Sequence, residues 1–181
     1  RQRKQFENTV SNLDQFLKQL DIKVKIKKSN EFLIPRISQL TLKTNQFNLT
    51  TRRYQEEEIS EFSKDENFEV GCVQVLDKFG DNGITGAYIV KKNGTSWMLD
   101  TFLLSCRIIG RGVEDAMLSQ ILKDAKNNGV EEFKAEFIHT SKNKPAENFL
   151  LEFGFKKQDK FWIYNLNNDI ISPNHLMVEI E

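Results

Sequence analysis

The 181-residue sequence predicts a mixed α/β fold: a mostly antiparallel central sheet flanked by helices, with an extra helix at the N-terminus. Three observations predict it. Helical and strand periodicities succeed one another along the chain. The stretch from Phe68 to Leu104 reads as a meander of strands punctuated by turn signals. A glycine-bearing turn then opens a β-α-β unit.

Taken in order, Phe6, Val10, Leu13, Phe16, Leu17 and Leu20 fall near helical spacing and give the opening amphipathic helix. Ile22, Val24 and Ile26 alternate with lysines, the pattern of a half-exposed strand at or near a sheet edge. Ser29 or Asn30 can cap the next helix, with Pro35 in its first turn and Ile34, Ile37, Leu40 and Leu42 on its apolar face. A more polar helix is expected after Thr50 or Thr51 as cap. Three antiparallel strands follow, with turns expected at Asp81-Asn82-Gly83 and Lys92-Asn93-Gly94. The third of them, apolar on both faces, belongs in the sheet's centre. Val113, Ala116, Met117, Ile121 and Ala125 form a helical stripe that stops at Asn127-Asn128-Gly129. A strand through Phe133, a short helix ending at Gly154 and a closing hairpin complete the order, and the tail from Asp169 can add one more edge strand.

Composition narrows the partners. Twenty-six basic residues balance twenty-six acidic ones, so nothing points to nucleic acid or an anionic membrane surface. Two cysteines and two histidines are too few for a disulfide framework or a metal-ligand spacing. No apolar run reaches membrane-spanning length and no signal-peptide pattern opens the chain, so a cytoplasmic location is expected. The length suits one domain with a short appendage: a linker helix over 1–20 and the domain over 21–181. The first residue is Arg1, which suggests a piece of a longer polypeptide.

The stretch from Cys106 to Val113 carries Arg107, Gly110, Arg111 and Gly112 between a strand and a helix. Such a turn is either only a tight connection or a cradle in which backbone N–H groups and the helix dipole hold a phosphate. It is not a dinucleotide fingerprint, because Asp115 stands where the third glycine belongs, and no Gly-Lys-Ser/Thr follows for a nucleoside-triphosphate loop.

Arg107-x-x-Gly110-x-Gly112 resembles the Gln/Arg-x-x-Gly-x-Gly/Ala motif of the GNAT acyltransferase superfamily, and Asn143 through Phe155 resembles its Asn-x-x-Ala…Gly-Phe helix. Three separated segments, Pro35 to Tyr54, Asp77 to Gly86 and Asp100 to Ala116, look like the C-terminal acyltransferase-like domain of FkbH-like proteins. That resemblance implies glyceryl- or methoxymalonyl-type extender-unit synthesis. It also implies coenzyme A or a phosphopantetheine thioester as ligand, an acyl carrier protein as partner, and a haloacid-dehalogenase-type domain ahead in a longer chain.

By the same resemblance, Phe102, Leu103 and Leu104 stand beside the thioester. The turn residues Arg107, Ile108, Ile109, Gly110, Arg111, Gly112 and Val113 hold the pyrophosphate, with Asn143 and Asn148 nearby. Asn45, Phe47, Asn48, Thr51, Arg52 and Arg53 are expected at the acceptor side, where the arginines suit a carboxylate, a phosphate or an acidic carrier; the alternative is a capped helix start. Leu150 occupies the position where many GNAT enzymes carry a proton-donating tyrosine, and it cannot donate. Candidate catalytic groups are Cys106 as a nucleophile, Asp100 as a base or an arginine's partner, and His139 as a proton acceptor. The expected function is an acyltransferase acting on a phosphopantetheine thioester. A non-catalytic carrier-docking module and a conventional acetyl-CoA-dependent N-acetyltransferase are the alternatives.

Overall fold

A computed structural model describes residues 12–181. Of the opening helix, Phe6 and Val10 lie outside the described residues. The described part is α1 (Leu13–Gln19), capped by the Asn12 side chain, which accepts the Asp14 N–H. Phe16, Leu17 and Leu20 of this segment are buried in the main core.

The remaining elements are β1 (Lys23–Lys28), α2 (Ile34–Lys43), β2 (Phe47–Asn48), α3 (Glu56–Lys64), β3 (Phe68–Asp77), β4 (Gly80–Asn93), β5 (Ser96–Leu104), α4 (Val113–Asn127), β6 (Glu132–Glu136), α5 (Phe149–Phe153), β7 (Lys156–Gln158), β8 (Phe161–Tyr164) and β9 (Met177–Ile180). Short 3-10 turns precede α4 at Cys106–Ile108 and α5 at Lys144–Ala146. The sheet order is β7-β8-β6-β5-β4-β3-β1-β9, with β2 paired to β5 off this path. Among the described residues, only β5–β6 and β1–β9 are parallel. The mixed, mostly antiparallel sheet flanked by helices is the fold class the sequence predicts.

Each face of the sheet has its own core. The larger one joins Val24, Val73, Tyr88, Phe102 and Leu104 to α1, α4 and α5. The smaller packs Ile37 and Leu40 of α2 and Ile59 of α3 on Cys72, Ala87, Ile89 and Leu103. Alternate residues of β4 and β5 therefore serve opposite cores, as a strand covered on both faces requires.

Three boundaries differ from the sequence expectation. The first hairpin turns at Lys78-Phe79, because Asp77 pairs with Gly80 and its Oδ1 accepts the Phe79 N–H at 2.9 Å. Asp81-Asn82-Gly83 instead lies within β4, where the register against β3 shifts. The polar helix starts at Glu56, not at Thr50 or Thr51, because Gln55 and Glu58 form the capping box. Residues Phe47–Asn48, expected at the acceptor side and not as a strand, form a short strand of the sheet. The tail does supply an edge strand: β9 lies beside β1, and Glu179 and Glu181 pair with Lys23, Lys25 and Lys27.

Candidate functional site

The centre of interest is the C-terminal half of β5, where the sheet divides. β5 pairs with β6 from Ser96 to Leu99 and no further. Beyond that point β2 takes over the same edge, with Phe47 opposite Leu104 and Asn48 opposite Leu103. Leu49 donates its N–H to the Phe102 carbonyl at 3.1 Å, and its own carbonyl accepts the Ile138 N–H at 2.8 Å. Thr50 Oγ1 donates to the Asp100 carbonyl at 2.8 Å. The split between β5 and the chain after β6 is thus filled by residues 47–50, all of them buried.

Side chains seal the same place. Phe47 meets Phe149 edge-on at 5.2 Å between ring centroids, and Phe149 stacks on Phe102 at 5.4 Å. Asn143, fully buried, donates Nδ2 to the carbonyls of Asn48 and Ile138 at 3.1 and 2.9 Å. Its Oδ1 accepts the Thr140 N–H at 2.9 Å. Phe102, Leu103 and Leu104 are fully buried, with β4 on one edge and the β2 segment on the other.

Asp100 is also fully buried and is held from four sides. Tyr54 Oη donates to it at 2.7 Å and Thr101 Oγ1 at 2.9 Å, while Arg52 and Lys91 lie at 3.4 and 3.3 Å. Of the two roles the sequence left open, the ion pair is the one the structure displays. Burial, then the Asp100 hydrogen bond and charge, push the Tyr54 hydroxyl well above its ordinary pKa, so it stays protonated. Arg52 reaches on to Glu136 at 2.9 Å. Arg53 closes the end of α2, donating to the carbonyls of Thr41 and Thr44 and to Asn45 Oδ1. Thr51 has φ +55°, the left-handed bend that turns the chain out of the split.

The glycine turn has the backbone a cradle needs. Gly110 and Gly112 have φ +79° and +85°, and Gly112 caps the 15-residue α4. One of its donors, however, is already engaged. The Gly110 N–H points to Glu114 Oε1 at 3.2 Å. Arg111 runs inward to Asp77 at 3.5 Å, and its carbonyl lies 2.7 Å from His175 Nε2. Ile108 and Val113 are fully buried, Ile109 is half-buried and Arg107 is exposed. Coenzyme A, the group the resemblance implies, would have to displace residues 47–50 from the β5 edge and Glu114 from the Gly110 N–H.

The three candidate catalytic residues are not brought together. Cys106 is exposed and lines a groove of about 330 Å³ with Arg36, Lys43, Asn45 and Ser105. His139 is exposed and lines a separate cavity of about 540 Å³ with Glu136, Glu147, Asn148 and Trp162. Asp100 touches that second cavity only through Arg52 and Glu136. Leu150 is buried, and its carbonyl ends α5 by accepting the N–H groups of Gly154 and Phe155. Sequence reasoning missed Glu114, the Phe47–Phe102–Phe149 cluster and the tail at His175. Only Glu114 left a signal, an acidic residue in a helix's first turn.

No family model and no curated protein matches the sequence. Solved structures do match in shape. A spermidine N-acetyltransferase of Vibrio cholerae aligns over 80% of this chain and 94% of its own, with TM-score 0.60 and 12% identity. A GNAT-family acetyltransferase of Staphylococcus aureus aligns over 79% and 99%, with TM-score 0.59 and 12% identity. The protein has the GNAT fold. The ribosomal-protein-S18-alanine N-acetyltransferase of Escherichia coli, at TM-score 0.57 and 14% identity over 75% and 79%, shares it. So does Rv2747 of Mycobacterium tuberculosis, solved in complex with CoA, at TM-score 0.55 and 13% identity over 74% and 72%. Set on this GNAT fold, the filled split is a property of the chain's own residues 47–50.

Proposed function

We propose that this GNAT-fold chain is an acyltransferase-like module of FkbH-type glyceryl or methoxymalonyl chemistry, and that it receives an acyl carrier protein instead of turning over coenzyme A. One observation carries the reading: the three FkbH-like segments, far apart in sequence, meet around the end of β5. Asn48 pairs with Leu103, Gly86 with Leu104, Arg36 donates to the Ile84 carbonyl, and Arg107 to that of Asn82. Segments that share a resemblance and also pack against one another support a common role for the place where they meet. Two of the segments line the groove holding Arg36, Lys43 and Cys106, whose positive charge suits an acidic carrier. The phosphatase-like domain would then do the chemistry in the longer protein.

A second reading, acyl transfer through Cys106, is favoured by that residue's exposure in the same groove. One experiment addresses both. Isothermal titration of the chain with a phosphopantetheinylated carrier is expected to give binding that the Lys43→Glu, Arg107→Glu double variant weakens about tenfold or more, as expected for lost charge complementarity. Equal affinity for wild type and variant, or no binding by wild type, overturns the docking site. An acyl adduct on Cys106, absent in Cys106→Ser, selects the second reading.

A further inference from the structure

We infer that Glu114 occupies the anion cradle at the start of α4 with the chain's own carboxylate and is the residue that keeps phosphate and pyrophosphate groups off this turn. The inference deepens the proposed carrier-docking function, since it gives the reason that coenzyme A is not the ligand.

Oxyanions bind helix starts because the first backbone N–H groups have no intrahelical acceptor. Here α4 is 15 residues long, and Gly110 and Gly112 let the chain curl ahead of it with left-handed backbone. Glu114, the second helical residue, folds back into this curl. Its Oε1 accepts the Gly110 N–H at 3.2 Å, and its own backbone N–H also favours the charged form. Glu114 is only 9% exposed, and its Oε2 is buried with no hydrogen-bond partner among the described residues.

That second oxygen is the telling feature. A buried oxygen without a donor among the described residues is costly, so the fold bears a cost to hold this carboxylate against the turn. Burial raises the Glu114 pKa, and neighbouring Asp115 adds to the rise. The outer side of the turn is covered as well. A Cβ on Gly112 would meet His175 Cε1 at 2.8 Å and Pro173 Cγ at 3.4 Å. A phosphate seeking the Gly110 N–H would meet a buried carboxylate from within and the tail from outside.

The test uses calorimetric titration with inorganic pyrophosphate and, separately, with coenzyme A. Wild type, Glu114→Gln, Glu114→Ala and the Glu114→Ala, His175→Ala double variant are compared, each checked for cooperative thermal unfolding. Wild type is expected to give no measurable pyrophosphate binding. At least one folded Glu114 variant should gain about tenfold or more in affinity, the order expected on removing a like charge from contact with an anion. Adding Gly112→Asp to that variant should abolish the gain.

Pyrophosphate binding by wild type as tight as by the Glu114 variants overturns the inference, as does the absence of binding by every folded variant. A gain for pyrophosphate without one for coenzyme A assigns the remaining exclusion to residues 47–50. Carrier binding by wild type is measured apart, so the docking function can fail while the Glu114 assignment stands, and the reverse.

Discussion

Replacing Asn143 by alanine tests how firmly residues 47–50 are held in the split of the sheet. The side chain joins three chain segments: its amide bonds the Asn48 carbonyl at 3.1 Å, the Ile138 carbonyl at 2.9 Å and the Thr140 N–H at 2.9 Å. Alanine removes all three bonds and leaves their partners unpaired. The Asn48 bond is buried, so that carbonyl carries the cost of an unsatisfied interior group, about 1–3 kcal/mol. The bonds to Ile138 and Thr140 are only partly buried, and water can replace part of each at a net loss of roughly 0.5–1 kcal/mol. The sum is about 3 kcal/mol, which for a domain of this size lowers Tm by roughly 6–12 °C.

Scanning calorimetry reads that shift. Asn143→Asp keeps the shape but turns an acceptor toward two carbonyl oxygens, so at neutral pH it should destabilise at least as much as alanine. A Tm for the alanine variant within about 2 °C of wild type would refute the claim that Asn143 clamps the segment. So would an aspartate variant as stable as wild type.

Two further outcomes follow from the turn and the thiols. Gly110→Ala meets open space but keeps φ +79°, so urea unfolding should show a loss of about 1–2 kcal/mol from left-handed backbone alone. Gly112→Ala adds the 2.8 Å overlap with His175 and should lose more, with His175→Ala recovering part of it only in the Gly112 variant. Equal losses, unaffected by His175→Ala, would show that the tail does not cover the turn. Cys72 is fully buried, and burial pushes its thiol up to about 11, whereas Cys106 is exposed. A chromogenic disulfide reagent should therefore titrate one thiol in the native protein, lost in Cys106→Ser, and two after denaturation; two reactive native thiols would contradict the packing around Cys72.

The sequence by itself determined the periodic elements and the turn geometry. The Ile22–Val24–Ile26 alternation, the α4 stripe and its stop at Gly129, and the strap-like tail strand are local patterns, each set by side chains a few residues apart. Gly110 and Gly112 were legible as a turn because glycine's freedom at positive φ is intrinsic to the residue. Even Asp100 announced a need for a partner, since an isolated charge in an apolar strand is costly.

Only the tertiary structure decided what occupies that turn and the split beside it. Residues 47–50 carry no periodicity that distinguishes a two-residue strand from a helix end, and their partner Leu103 lies more than fifty positions away along the chain. Asn143 looks like a ligand contact until Asn48 and Ile138 are brought against it. Glu114 looks like an ordinary first-turn acid until the fold buries it and gives one of its oxygens the Gly110 N–H. Periodicity reports which face of an element seeks the core, but the occupant of a cleft depends on contacts between distant segments. In this protein those contacts set residues 47–50 against β5 and the Glu114 carboxylate against the Gly110 N–H.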